Sequence, residues 1–272
     1  MIEQADVNSL NGTWYQERTS EKSEVWQNDL IGVYNTPAVQ QEHTLLPVPL
    51  SVSQVVAYSN DPEQFINQYV KVQNPTMKDN LSVTSTHGLA ASRLGTYVHR
   101  ACELYDLGWA LKESVDLTLK ELEGDSIYQE EMLKLVTVYA GLELGEALEN
   151  EWAFSLEVEG AELTGIIDRV TVIDSKLCLL DIKTNSLENS GVELINRYRA
   201  QLILYKWAYE QKTGQSVSGL FLVVLRDHNQ QLHEITVTES QEDEVREAVR
   251  ELVKLKTTST TIETYTHSYR YK

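Results

Sequence analysis

Residues 162–184 read ELTGIIDRVTVIDSKLCLLDIKT, and their pattern is that of a β-hairpin. Apolar residues alternate or run on both arms, and the polar pair Asp174-Ser175 between them predicts a two-residue turn. A turn centred there pairs Ile173 with Lys176 and, further from the turn, Asp168 with Asp181. Period-two alternation then puts Asp168, Asp181 and Lys183 on one face with Val170, Val172, Leu177 and Leu179. The other face carries Ile167, Ile173, Leu180 and Ile182. With both faces apolar, the hairpin is expected at the centre of a sheet covered on two sides. Two facing carboxylates repel, so a positive group must lie beside them: Lys183 or a divalent cation. The alternative is a surface hairpin with a salt-bridged acid pair, an arrangement that is common and weak. The second apolar face argues against it, because carboxylates in the wall of a cleft need a function or a metal.

Around the hairpin the elements alternate. Upstream, Glu151 opens a strand, EWAFSLEV, that leads through Glu159-Gly160 into it. Before that, residues 92–109 predict a helix capped by Ser92, with an apolar stripe of Leu94, Val98, Ala101, Cys102 and Tyr105. His99 and Glu103 share a side of this helix beside the stripe, and Gly95 leaves room for close approach of another backbone. Histidines beside an apolar face are more often satisfied boundary residues than ligands. Residues 110–150 are acidic and helical in texture, with breaks at Gly124 and Gly141. Downstream, GVELINRYRAQLILYKWAYEQKTG predicts a helix ending near Gly214, whose stripe of Leu194, Tyr198, Gln201, Leu202 and Tyr205 contains a glutamine four residues before a tyrosine. Strands over 217–226 and 231–237 follow, then a helix over 241–256 capped by Ser240 and a threonine-rich tail. The order implies an α/β fold, a mixed β-sheet with helices on both faces.

The first 50 residues have no sustained period: isolated Trp14, Tyr15, Trp26 and Tyr34 sit among polar residues, and Pro37, Pro47 and Pro49 punctuate the end. They are expected to form an extended arm or linker, with one domain over 51–272. Ser51 and Gln54 have capping-box spacing for a short helix through Tyr58, a second short helix starts at Pro62, and 71–85 is polar and loop-like.

Composition sets limits. The chain of 272 residues carries a net charge of −18, which argues against a free-standing basic DNA-binding domain. Yet residues 161–272 hold 14 basic and 16 acidic groups, against 5 and 15 over residues 81–160, so the hairpin half is nearly balanced. Phosphate contacts are therefore expected to be local. Neither a membrane span nor a secretory leader is suggested, which points to the cytoplasm. Cys102 and Cys178, the two cysteines, fall in apolar segments and are expected to be buried reduced thiols.

Asp168, Asp181 and the Ile182 carbonyl supply hard oxygen ligands beside one ammonium, a set that suits Mg²⁺ or Mn²⁺, and an imidazole from His99 would favour Mn²⁺. Zinc is disfavoured by the lack of closed-site Cys/His spacing, and no Gly-rich phosphate loop is present. A glycosidase acid–base pair is less economical, given Lys183 beside the carboxylates and no aromatic platform. Lys183 would hold an attacking water or offset charge developing on phosphorus, with desolvation and a nearby metal both acting to lower its pKa.

The runs Leu94-Gly95-Thr96-Tyr97-Val98-His99, Gly165-Ile166-Ile167-Asp168-Arg169, Asp181-Ile182-Lys183-Thr184 and Tyr198-Arg199-Ala200-Gln201 with Tyr205 together resemble the nuclease domain of the PD-(D/E)xK superfamily. Within its RecB-like branch the sequence is similar to the C-terminal nuclease domain of AddA-type helicase-nucleases. The resemblance covers about residues 92–206, with residues 50–69 similar to the segment that often precedes the domain. It implies a restriction-endonuclease-like fold. It also implies a Mg²⁺- or Mn²⁺-dependent deoxyribonuclease, an exonuclease acting in recombination, repair or end processing beside a helicase. His99, Asp168 and Asp181 become metal ligands, Lys183 the catalytic lysine, and Gln201 and Tyr205 residues that line the site, with Glu151 in a supporting role. Several relatives carry an iron–sulfur cluster; the corresponding cysteines are not in this sequence, so no cluster is expected. A non-catalytic protein of the same fold, with an architectural or DNA-sensing role, is the competing reading.

Overall fold

The hairpin turn is made by two consecutive left-handed residues, Asp174 at φ 51° and Ser175 at φ 62°. A two-residue turn of this hand matches the twist of the strands it joins, and Asp tolerates the conformation better than most side chains. The structure is a computed structural model and describes residues 46–73, 86–184 and 191–268. Strand β3 (Ala161–Ile173) and strand β4 (Lys176–Lys183) pair antiparallel from Ile173 opposite Lys176 to Arg169 opposite Leu180, the register expected from the turn.

Strand β1 (Val48–Ser51) is parallel to β3 at residues 161–164, and strand β2 (Glu146–Val158) runs antiparallel along β3 from Val158 opposite Ala161 to Glu146 opposite Val172. Strand β5 (Gly219–Val224) pairs parallel with β4 as far as Lys183, and strand β6 (Leu232–Glu234) closes the sheet antiparallel to β5. A strand has two edges. Because β2 follows one edge of β3 at both ends, β1 and β4 must share the other. The sheet therefore splits beside residues 165–168: β1 ends at Ser51, while β4 leaves β3 after Leu180 and continues with β5. Asp168 stands at that fork.

Seven α-helices and one short 3-10 turn, Ser126–Tyr128, accompany the sheet among the described residues. Helices α1 (Val52–Asn60), α6 (Gly191–Thr213) and α7 (Glu239–Ser268) share a core on one face with Leu163, Ile167, Val170, Leu179 and Leu222. Helices α3 (Thr86–Asp106), α4 (Leu111–Glu121) and α5 (Gln129–Ala140) share the other with Cys178, Leu180, Ile182 and Val223. Helix α2 (Pro62–Gln73) follows α1, with the Phe65 ring edge-on to Tyr58. Both hairpin faces are thus covered. Ser51 and Gln54 form the capping box of α1, each side chain accepting from the other's backbone N–H. No described helix is long and apolar enough to cross a membrane.

Several expectations need correction. Ile167 does not share a face with Leu180 and Ile182; it packs on the α6 side with Val170. Strict alternation fails across Asp168, where β2 carries Glu151 at φ 49° against the fork. Helix α3 starts at Thr86 rather than Ser92, as the intervening Leu89, Ala90 and Ala91 are good helix formers. The Gly95 neighbour is a side chain, not a backbone: a Cβ there would lie 3.3 Å from Thr184 Oγ1. Strand β2 begins at Glu146, ahead of Glu151. Strands β5 and β6 are shorter than expected, and α7 runs on to Ser268 through the threonine-rich tail. Its cap is Thr238, not Ser240: Thr238 N donates to Gln241 Oε1 at 3.0 Å and Gln241 N returns a bond to Thr238 Oγ1 at 3.4 Å, a capping box ahead of the expected one. The aromatic arm expected over 1–50 lies outside the described residues except at its end, which is part of strand β1; residues 74–85 also lie outside them.

Gly145, just before β2, holds φ 68°, and a Cβ there would sit 2.1 Å from the Val172 carbonyl oxygen. Gly145→Ala is therefore expected to destabilise by about 1–3 kcal/mol or more, since backbone strain and a main-chain clash add. Urea unfolding checks it; an unchanged midpoint would contradict this packing.

Candidate active site

At the fork, side chains replace the missing strand ladder. Asp168 Oδ2 accepts from the Ile182 N–H at 2.6 Å, filling a place where a strand carbonyl would otherwise sit. The Ile182 carbonyl lies 2.9 Å from His99 Nε2 on α3. A carbonyl only accepts, so Nε2 carries the proton in this contact and the opposite nitrogen is turned to the carboxylates. His99 Nδ1 lies 3.5 Å from Asp168 Oδ1 and 3.7 Å from Glu151 Oε1. Ligand atoms of His99, Glu151 and Asp168 all fall within 4.8 Å of one another. This is a candidate metal-binding cluster.

The second half of the site comes from β4 and α6. Asp181 is fully buried and Lys183 Nζ lies 2.6 Å from its Oδ2. Gln201 Nε2 donates to Asp181 Oδ1 at 2.9 Å and to the Tyr205 hydroxyl, and Gln201 Oε1 accepts from Lys183 at 3.4 Å. One amide thus holds both charged groups of β4. The Lys183 ammonium also stands 4.4 Å from the centre of the Tyr198 ring, a favourable cation–π arrangement. Behind it, Lys183 O accepts from Leu225 N, and Thr184 O accepts from Arg226 Nε at 2.7 Å. A cavity of about 380 Å³ lined by Gly95, His99, Arg100, Glu103 and Glu151 opens on the histidine side.

Burial and charge set the protonation states together. Burial alone would neutralise His99, but Asp168 and Glu151 outweigh it and push the ring up to about 10. Burial raises Asp181, and Asp168 adds to this against the opposing pull of Lys183. Asp168 is also pressed upward by burial, yet His99, Lys183 and the Ile182 N–H hold it below the usual carboxylate range. One carboxylate raised while its neighbour is lowered is the response of two like charges to each other and to the cations beside them. Burial acts to lower Lys183, as desolvation should, but Asp181 and Asp168 outweigh it and hold the group as an ammonium beside these carboxylates.

The residues fit a divalent metal on two grounds. Asp181 Oδ2 is buried without a directed hydrogen bond, although Lys183 lies against it as an ion pair. The donor set of imidazole, carboxylates and a carbonyl is that of a hard or borderline divalent ion.

Of the residues singled out in the sequence, His99 and Asp168 lie in the cluster, the Ile182 peptide bonds to both, and Asp181 stands outside it with Lys183, Gln201 and Tyr205. Glu151 moves from a supporting position into the cluster itself, carried there by its left-handed backbone. A non-glycine residue at positive φ within a strand is a strained position of the kind that clusters at active sites. Periodicity could not reveal it, because alternation assigns a face only where the strand is regular. Arg226 and Thr184, which tie the end of β4 to neighbouring elements, also gave no periodic signal.

A profile of the PD-(D/E)XK nuclease superfamily matches residues 49–267. The chain belongs to the PD-(D/E)XK nuclease superfamily. It is 24% identical over 220 residues to an ATP-dependent helicase/nuclease subunit of Enterococcus faecalis, a match covering 69% of this chain and 16% of that protein. It is 35% identical over 100 residues to the ATP-dependent helicase/nuclease subunit of the same name from Clostridium botulinum, covering 37% and 8% respectively. The chain thus spans about a sixth or less of the length of these relatives. A crystal structure of a candidate exonuclease from Eubacterium rectale is 15% identical with a TM-score of 0.47, covering 74% of this chain and 76% of that one. The superfamily match extends beyond the fork to β1, α1 and α7, the elements that close the α6-side core.

Proposed function

We propose that this chain hydrolyses DNA phosphodiester bonds with Mg²⁺ or Mn²⁺ at the fork of the sheet, as an exonuclease in recombination, repair or end processing. The observation that carries the reading is the convergence of His99, Glu151 and Asp168 on one side of the Ile182 peptide with Asp181 and Lys183 on the other. His99 Nδ1, Asp168 and Asp181 would hold the ion, with Glu151 beside them, while the Ile182 carbonyl fixes the ring from its Nε2 side. Bound there, a divalent ion would supply Lewis-acid stabilisation of phosphate oxygens and an acidified water. Lys183 keeps its charge against the scissile phosphate, orients the attacking water and offsets negative charge as it develops on phosphorus. Gln201 holds Asp181 and Lys183 in register, and Tyr205 holds Gln201. Cys102 and Cys178 are buried free thiols, and we assign them to packing rather than to an iron–sulfur cluster. Buried reduced thiols also suit the cytoplasm.

Digestion of end-labelled single- and double-stranded DNA, with open and closed ends, tests the reading. Products are expected with Mg²⁺ or Mn²⁺ and lost with chelator. Metal-independent products would contradict the metal mechanism, and no products on any substrate, with or without a helicase, would favour an architectural role.

The relatives are named as helicase/nucleases, and we infer a helicase or other partner that supplies a DNA channel. The net charge of −18 supports this. The isolated chain is expected to bind DNA weakly and with a shallow salt dependence, because few phosphates are neutralised. Fluorescence anisotropy across a salt series measures it. Nanomolar binding near physiological salt would remove the need for a partner's channel.

A further inference from the structure

Arg169 follows Asp168 in sequence, is 4% exposed, and takes no part in the chemistry above. One terminal nitrogen, Nη1, donates to Asp106 Oδ1 at 2.7 Å and to the Tyr139 hydroxyl at 2.5 Å. The other, Nη2, donates to the Gly145 carbonyl at 2.6 Å. Tyr139 donates in turn to Asp106 Oδ2 at 2.7 Å. A guanidinium, a carboxylate and a phenol thereby close a buried ring joining β3 to the end of α3, to α5 and to the entry of β2. Burial works to raise Asp106, with Arg169 and Tyr139 pulling against it.

Such a network adds little net stability over apolar packing, yet is costly to break from one side. Its value lies in what it fixes. Asp106 stands seven residues after His99 on α3, about two turns or roughly 10 Å along the axis. Helix α3 meets the two hairpin strands at three levels. Gly95 lies against Thr184, His99 against the Ile182 carbonyl, and Asp106 against Arg169. The last of these is the charged, directional anchor, and apolar packing is non-directional. Because Arg169 adjoins Asp168 on one strand, the 3.5 Å between His99 and Asp168 belongs to a closed frame.

We propose that Asp106, Tyr139 and Arg169 form a positioning clamp that holds α3 at the spacing from β3 at which His99 and Asp168 share one metal ion. The proposal rests on the metal site of the preceding section. Groups that orient metal ligands from behind typically change metal affinity by about 10- to 100-fold when removed.

Tyr139→Phe deletes one hydroxyl and keeps the ring that packs edge-on to Tyr105. Its Mn²⁺ dissociation constant, measured by calorimetry on the folded protein, is expected to rise by about 10- to 100-fold. Asp106→Asn is expected to move in the same direction, and Tyr139→Phe alone decides if that variant does not fold. Leu252→Ala, in the opposite core on α7, controls for general loosening: its melting midpoint should fall while Mn²⁺ affinity stays parental. Parental Mn²⁺ affinity in Tyr139→Phe, or an equal loss in Leu252→Ala, overturns the clamp. If Asp168→Ala alone loses Mn²⁺, the clamp fails and the metal site stands. If the parent binds no Mn²⁺, both fall.

Discussion

Lys183→Ala is expected to slow single-turnover DNA cleavage by roughly two to three powers of ten while metal and DNA still bind, the range typical of losing one preorganised donor to developing charge. The Lys183 side chain is 17% exposed and so remains open to a substrate in part, while Asp181, Gln201 and Tyr198 hold its ammonium. Two roles compete for it. If Lys183 only neutralises Asp181, its loss leaves a buried carboxylate unpaired and lowers stability, with little effect on turnover at saturating metal. If it acts on the substrate, turnover collapses and the metal replaces the lost charge. Lys183→Arg should not rescue cleavage, because a planar fork cannot take the place of a compact charge between Asp181 Oδ2 and Gln201 Oε1. Thermal unfolding run beside single-turnover cleavage in Mg²⁺ and in Mn²⁺ separates the roles. Parent-like cleavage by Lys183→Ala would contradict the catalytic one.

The second large effect is on the metal. Asp168→Ala and Asp181→Ala should each abolish Mn²⁺ binding at the fork, seen by calorimetry. Their effects on the metal-free protein should differ from those of unpaired, repelling carboxylates, because neither is unpaired. Asp168 satisfies the Ile182 N–H and faces His99; removing it leaves a buried donor without an acceptor, at a cost of about 1–3 kcal/mol. Asp181 is the partner of Lys183 and Gln201. Both variants should therefore melt below the parent without metal. A variant that binds Mn²⁺ as tightly as the parent would remove its carboxylate from the ligand set.

Much of this site was legible because it lies close to a turn. Asp174-Ser175 fixes the hairpin register, and register carries Asp181 and Lys183 to the same face as the Gln201 helix. Gln201 and Tyr205 are four apart on one helix, so local geometry alone brings them together. What stayed hidden depends on topology. Alternation extended through Asp168 assumes one continuous neighbour, but β3 exchanges β4 for β1 there, and Ile167 turns to the other core. The same break gives Glu151 its left-handed backbone and brings it beside His99. Asp106, Tyr139 and Arg169 are separated by 33 and 30 residues, and nothing in their local patterns links them. Residue order shows that a helix precedes the hairpin, but not which end of it is anchored by charge.

The fork makes a restricted claim about where the metal lies. Crystals grown with Mn²⁺ and measured at a wavelength where manganese scatters anomalously would test it most directly. A strong anomalous peak is expected in contact with His99 and Asp168, beside the Asp181 carboxylate, and should disappear in Asp168→Ala. A principal peak elsewhere, with the cleavage activity intact and the fork side chains arranged as they are now, would contradict it.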